Sequence, residues 1–107
     1  MSEEEIKNLL SDVKDYLKIS WDDEKTDKVL TGMIKRGMAH LNHIAGVSLN
    51  FIEDDTPKTL LLDYVRYANS QALEVFDTNF QSELISLHYS KQAELIQLDE
   101  EGVNNEN

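Results

Sequence analysis

The stretch from Pro57 to Phe76, Pro-Lys-Thr-Leu-Leu-Leu-Asp-Tyr-Val-Arg-Tyr-Ala-Asn-Ser-Gln-Ala-Leu-Glu-Val-Phe, decides how the chain is read. Leu61, Tyr64, Val65, Ala68, Ala72, Val75 and Phe76 recur at helical spacing on one face. Thr56 is placed to cap this helix, and Pro57 suits its first turn, where a missing N–H costs nothing. Leu60, Leu62, Tyr67 and Leu73 spread apolar surface around the flanks. A helix apolar over so much of its circumference sits centrally in a bundle or is shared with a partner. The flanking residues are therefore expected to be covered by the last helix or by a neighbouring subunit.

Upstream, Ser2 with Glu5 three residues later forms a capping box, opening a helix from about Ser2 to Leu17. Ile6, Leu9, Leu10, Val13, Tyr16 and Leu17 supply its apolar face. The Lys18–Asp23 connection holds the only tryptophan. Trp21 is expected to plug the end of the core, and the sharper alternative makes it an exposed partner anchor. A second helix is expected from Asp23 or Glu24 to Ala45, with Gly46 as its left-handed stop. Gly37 on its apolar stripe predicts close approach by another helix. Val47–Ile52 alternates and reads as a short extended segment; Glu53–Thr56 is an acidic capping loop. After a break at Asp77–Asn79, a thinner amphipathic helix is expected from Phe80 to Leu98, with Leu84, Leu87, His88, Leu95 and Leu98 on its face. The polar tail from Asp99 to Asn107 is expected to be disordered. The pattern predicts one all-α domain over residues 1–98, a bundle of about four helices with an extended segment between the second and third.

Composition narrows the function. Ten basic against 21 acidic side chains leave a net charge of −11. Phosphate binding is driven by lysine and arginine, so sequence-reading nucleic-acid binding is disfavoured. There are no cysteines for disulfides or thiolate metal sites. No apolar run approaches the roughly 18 residues of a membrane span, and the acidic start does not resemble a signal peptide. His40 and His43 share a helix face, but a metal needs a third ligand. Phosphate loops, nucleophile elbows and triad spacings are missing. No enzyme, metal or cofactor is expected.

The order of elements resembles a known family. It comprises a first helix ending Val13-Lys14-Asp15-Tyr16-Leu17-Lys18-Ile19, then Trp21-Asp22-Asp23, a long helix closing at His43-Ile44-Ala45-Gly46, and a Leu-rich helix after Thr56-Pro57-Lys58. Over about residues 5–98 this resembles the head–tail connector, or head completion, proteins of long-tailed bacteriophages and prophages. The polar last helix departs from that pattern. The resemblance implies a virion protein made in the bacterial cytoplasm. It implies a homo-oligomeric ring, dodecameric in the virion and monomeric until templated. The ring would lie between the portal and the next tail-proximal head completion protein, and DNA would pass through without sequence-specific binding. Trp21, Leu60, Leu62, Tyr67, Leu73, Phe80, Leu84 and Leu87 are the candidate subunit or partner contacts. The alternative reading is an acidic helical adaptor or DNA mimic that binds a host protein.

Overall fold

The structure, a computed structural model, describes the backbone of residues 1–105 and the side chains of residues 1–99. It is an all-α bundle, and no strand occurs among the described residues. Helix α1 spans Glu3–Tyr16, α2 Glu24–Ala45, α3 Thr56–Asn69, α4 Phe76–Asn79 and α5 Gln81–Asn105; a 3₁₀ turn, Leu73–Val75, precedes α4.

Local signals place the first two helices. Ser2 accepts from the Glu5 amide while Glu5 accepts from the Ser2 amide, so the capping box closes. Asp23 caps α2 through the amide and hydroxyl of Thr26. Gly46 ends it at φ 73°, a conformation that costs glycine nothing. The hairpin is pinned by Lys14, whose ammonium lies 2.9 Å from Asp22 and 3.0 Å from Asp27. The contact to Asp27 is an ion pair without the angles of a directed hydrogen bond.

The bundle is organised around α2, which packs on α1, α3 and α5. The 57–76 stretch does not hold that position, because it is not one helix. Asp55, not Thr56, caps α3. The helix stops at Asn69, where Asn69 and Ser70 bring short polar side chains that compete with the helical backbone hydrogen bonds. Gln71 turns left-handed at φ 57°, and the Ala72 amide closes on the Tyr67 carbonyl at 2.9 Å. Leu73 and Val75 are consequently exposed, while Phe76 re-enters the core through α4.

The core joins Leu9 and Val13 of α1, Leu30, Ile34, Leu41 and Ala45 of α2, Leu60, Leu61, Tyr64 and Val65 of α3, and Leu84 and Leu87 of α5. The extended segment between α2 and α3 adds Phe51, with Val47 and Leu49 half-buried. Gly37 lets α3 come close: a Cβ there would lie 2.7 Å from the Tyr64 ring and 2.8 Å from Leu61. Lys58 ties the start of α3 to α1 through Asp12 at 2.8 Å.

Helix α5 continues to Asn105, beyond the expected end at Leu98. Side chains past Asp99, and residues 106–107 altogether, lie outside the described residues; the stretch expected to be a disordered tail, residues 99–107, is helical as far as Asn105.

Candidate functional site

The surface features that remain after core formation lie on α5 and on the α1–α2 hairpin. The first half of α5 is anchored. Leu84 and Leu87 enter the core, and the Nδ1–H of His88 donates to the Ile44 carbonyl at 2.7 Å. Gln92 donates to the Ala45 carbonyl at 2.9 Å. These two side chains satisfy carbonyls that the end of α2 would otherwise leave unpaired. The apolar periodicity places His88 on this face and gives no role to Gln92.

Beyond Gln92 the anchoring ends. Ala93 to Asp99 are all exposed, including Leu95, Ile96 at 60 % and Leu98 at 62 %. Leu95 and Leu98 continue the apolar stripe of the packed half, but among the described residues they are only partly covered, Leu95 remaining 39 % accessible. Residues 93–105 project by about 20 Å at the rise of an α-helix. This explains a molecule 58 Å long and 18 Å thin. Its radius of gyration, 16.1 Å, exceeds the roughly 13 Å of a compact chain of this length. Ile85 and Tyr89 add exposed apolar surface on the packed half, beside an open groove of about 710 Å³ that also contains His43 and Asp77.

A second groove, about 880 Å³, runs between α1 and α2. Half-buried Ile6, Leu10 and Met38 form its apolar lining, and Lys7, Lys28 and Lys35 stand along it. Gly32 leaves the α2 wall without a side chain.

The expected contact residues separate into three groups. Leu60, Leu84 and Leu87 are core residues, so they offer no surface for a partner; the helix faces that carry them are consumed within the chain. Leu62, Tyr67 and Phe80 are half-buried against the core. Tyr67 and Phe80 belong to a ring cluster around Phe76, at centroid distances of 5.7 and 4.9 Å from it. Only Trp21 and Leu73 are exposed. Trp21, 57 % accessible, does not plug the core; Ile19 packs there instead, its amide held by the Lys14 carbonyl at 2.8 Å. The unpaired flanks expected on the 57–76 stretch therefore shrink to Leu73, with Leu62 and Tyr67 partly covered. The larger apolar excess lies on α5, but on Ile96 and Leu98 rather than on the expected contacts Leu84 and Leu87.

The histidines do not converge on a metal. His40 Nε2 lies 2.8 Å from Asp77, with its ring against Tyr64 and Phe76, while His43 is exposed. Among the described residues no group of three potential ligands could hold an ion. Among the described residues no helix is long and apolar enough to cross a membrane.

Comparison with protein-family models, curated proteins and solved structures finds no match for the chain.

Proposed function

We propose that this chain is an assembly protein of the head–tail connector type, working by subunit contacts and without substrate turnover. The observation that carries the proposal is the projecting half of α5, whose Ile96 and Leu98 are about 60 % accessible and Leu95 39 % accessible among the described residues. Contiguous exposed apolar surface on a helix is a mark of a surface that awaits a partner. The element order described above, resembling that of phage connector proteins, supplies the context: a virion ring joining the portal to the next head completion protein. The carboxylate excess suits a channel wall, because like charge keeps the DNA backbone from adhering.

The test mixes the purified chain with portal particles and examines them by electron microscopy. A ring of extra density on the portal supports the reading. Absence of association across all salt concentrations refutes it. A stable complex with a basic protein instead, dissolving with salt, would favour the acidic-adaptor reading.

A further inference from the structure

Charge is distributed unevenly over this chain. Four of its ten cations, Lys14, Lys58, Arg66 and Lys91, are engaged in ion pairs. The other six, Lys7, Lys18, Lys25, Lys28, Lys35 and Arg36, all belong to the α1–α2 hairpin. Among the described residues none of them has a carboxylate within ion-pair distance. From Gln81 onward the balance reverses, with six carboxylates against Lys91 alone. The projecting part of α5 reads Glu94-Leu95-Ile96-Gln97-Leu98-Asp99-Glu100-Glu101, in sequence an apolar strip between acids; Glu94 is paired with Lys91 at 3.4 Å, which leaves Asp99 and the acids that follow it in the sequence. The groove between α1 and α2 has the complementary character: an apolar lining with Lys7, Lys28 and Lys35 along it. Its carboxylates do not cancel this. Asp27 is already paired with Lys14, and Glu3 and Glu24 sit in the first turns of antiparallel helices, at opposite ends of the groove.

We infer that the projecting half of α5 docks in the α1–α2 groove of a second copy of this chain. The inference rests on the ring reading above and supplies its subunit contact. The arm cannot fill its own groove. It leaves the bundle past Ala45 and Gly46, at the C-terminal end of α2, whereas the groove is lined by residues 24–38 of that helix. Arm and groove are different surfaces, so the contact is heterologous, each subunit giving one and receiving one. Such contacts close into rings when the rotation per subunit permits and extend as filaments when it does not. Apolar burial supplies the attraction, and the lysines facing an acidic helix set partner and register.

The natural chain has no cysteine, which makes pairwise crosslinking free of background. Thr31→Cys in the groove and Gln97→Cys on the arm are mixed at equal concentration and oxidised with diamide. The mixed disulfide dimer should exceed either homodimer several-fold. A chain carrying both substitutions should give a ladder ending at a closed species. Adding Lys28→Glu and Lys35→Glu to the groove partner should cut the mixed yield by about tenfold, as expected when like charges are juxtaposed; circular dichroism confirms that these surface variants fold. Dominant Gln97→Cys homodimers would overturn the inference in favour of arm-to-arm pairing. A mixed yield no greater than that of Glu53→Cys, a loop control, would overturn it altogether. Failure here can be told from failure of the connector reading: a portal-bound ring that lacks the crosslink sinks only the arm-in-groove contact. A crosslinked ladder that ignores portal sinks only the connector.

Discussion

Two glycines on α2 should respond to the same substitution with opposite signs. Alanine at Gly32 would place a Cβ 3.2 Å from an Arg36 terminal nitrogen, the far end of a flexible, exposed side chain. Alanine at Gly37 would place it 2.7 Å from the Tyr64 ring and 2.8 Å from Leu61. Neither can retreat easily. Leu61 is wholly buried, and Tyr64 is wedged edge-on against Phe76 at 5.3 Å and beside His40 at 5.7 Å. Replacing helical glycine by alanine gains about 1 kcal/mol at either site. Overpacking a filled core costs about 1–3 kcal/mol. Gly32→Ala should therefore stabilise by about 1 kcal/mol, and Gly37→Ala should be neutral to destabilising by about 2 kcal/mol. The difference between the variants, about 1–3 kcal/mol, isolates the steric contribution because the propensity gain cancels. At an m-value of about 1.5 kcal/mol/M, a 2 kcal/mol difference separates the urea midpoints by about 1.3 M. Far-UV circular dichroism is the suitable readout, since exposed Trp21 reports little on the core. Measurements at low, fixed concentration keep self-association from adding to the apparent stability. Equal stabilisation by both substitutions would refute the close α2–α3 approach.

Phe76→Ala should cost about 3–5 kcal/mol in the same assay, because it removes the ring on which Tyr64, Tyr67 and Phe80 converge; a loss below about 1 kcal/mol would mean the cluster carries little of the fold. Trp21→Ala should move the thermal midpoint hardly at all, consistent with a surface change of within about 0.5 kcal/mol, whereas a large drop would restore the core-plug role. Stability should also fall at alkaline pH. The hydrogen bond to Asp22 and then the ion pair with Asp27 raise Lys14 above its ordinary 10.5, and Asp12 does the same for Lys58. The hydrogen bond to Asp63 raises Tyr16 above 10.0. In all three cases the folded chain holds its proton more tightly than the unfolded one. Their contribution is complete below the ordinary values and is lost as pH rises through the folded ones. The urea midpoint should be level toward pH 9 and decline above about 10; a Lys14→Met variant should show a shallower decline, and an unchanged slope would remove Lys14 from the account.

Sequence reading succeeded where a signal was local. The capping box at Ser2 and Glu5, Asp23 before α2 and Gly46 after it are each short-range patterns with one physical meaning. Gly37 was legible too, because a glycine on an apolar stripe has few other uses. The reading failed where two arrangements satisfy one periodicity. Ala68, Ala72 and Phe76 fit a continuous helix, yet they equally fit a helix that ends at Asn69 and returns Phe76 through a left-handed turn at Gln71. Nothing in the spacing of apolar residues says which way the chain turns. Periodicity also does not report where a partner ends. Leu84, Leu87, Leu95 and Leu98 are one stripe in sequence, but α2 stops at Ala45 and leaves only the first pair covered. Leu95 and Leu98 were not among the expected contacts for that reason, although the segregation of the hairpin's lysines from the late carboxylates was visible in the residue order.

That segregation has a consequence for assembly that neither charge nor apolar area produces alone. Each subunit carries a net charge of −11, so two copies repel at a distance. The arm–groove attraction acts only at contact. At about 0.01 M salt the screening length is about 30 Å and the repulsion spans a whole subunit; near 0.15 M it is about 8 Å, so the repulsion fades while contacting charges still interact. Toward 1 M, where the screening length is about 3 Å, the lysine–carboxylate attraction is weakened as well. Sedimentation should therefore find the strongest self-association at intermediate salt, with weaker association on both sides. A steady rise with salt would mean that apolar burial alone holds the copies together and that Lys28 and Lys35 have no part in the contact. A steady fall would mean that attraction already outweighs repulsion at long range, which the uniform sign of the net charge opposes. A maximum fits an acidic chain that stays dispersed until something concentrates it, and a ring-shaped template that holds neighbouring subunits in register would provide that concentration.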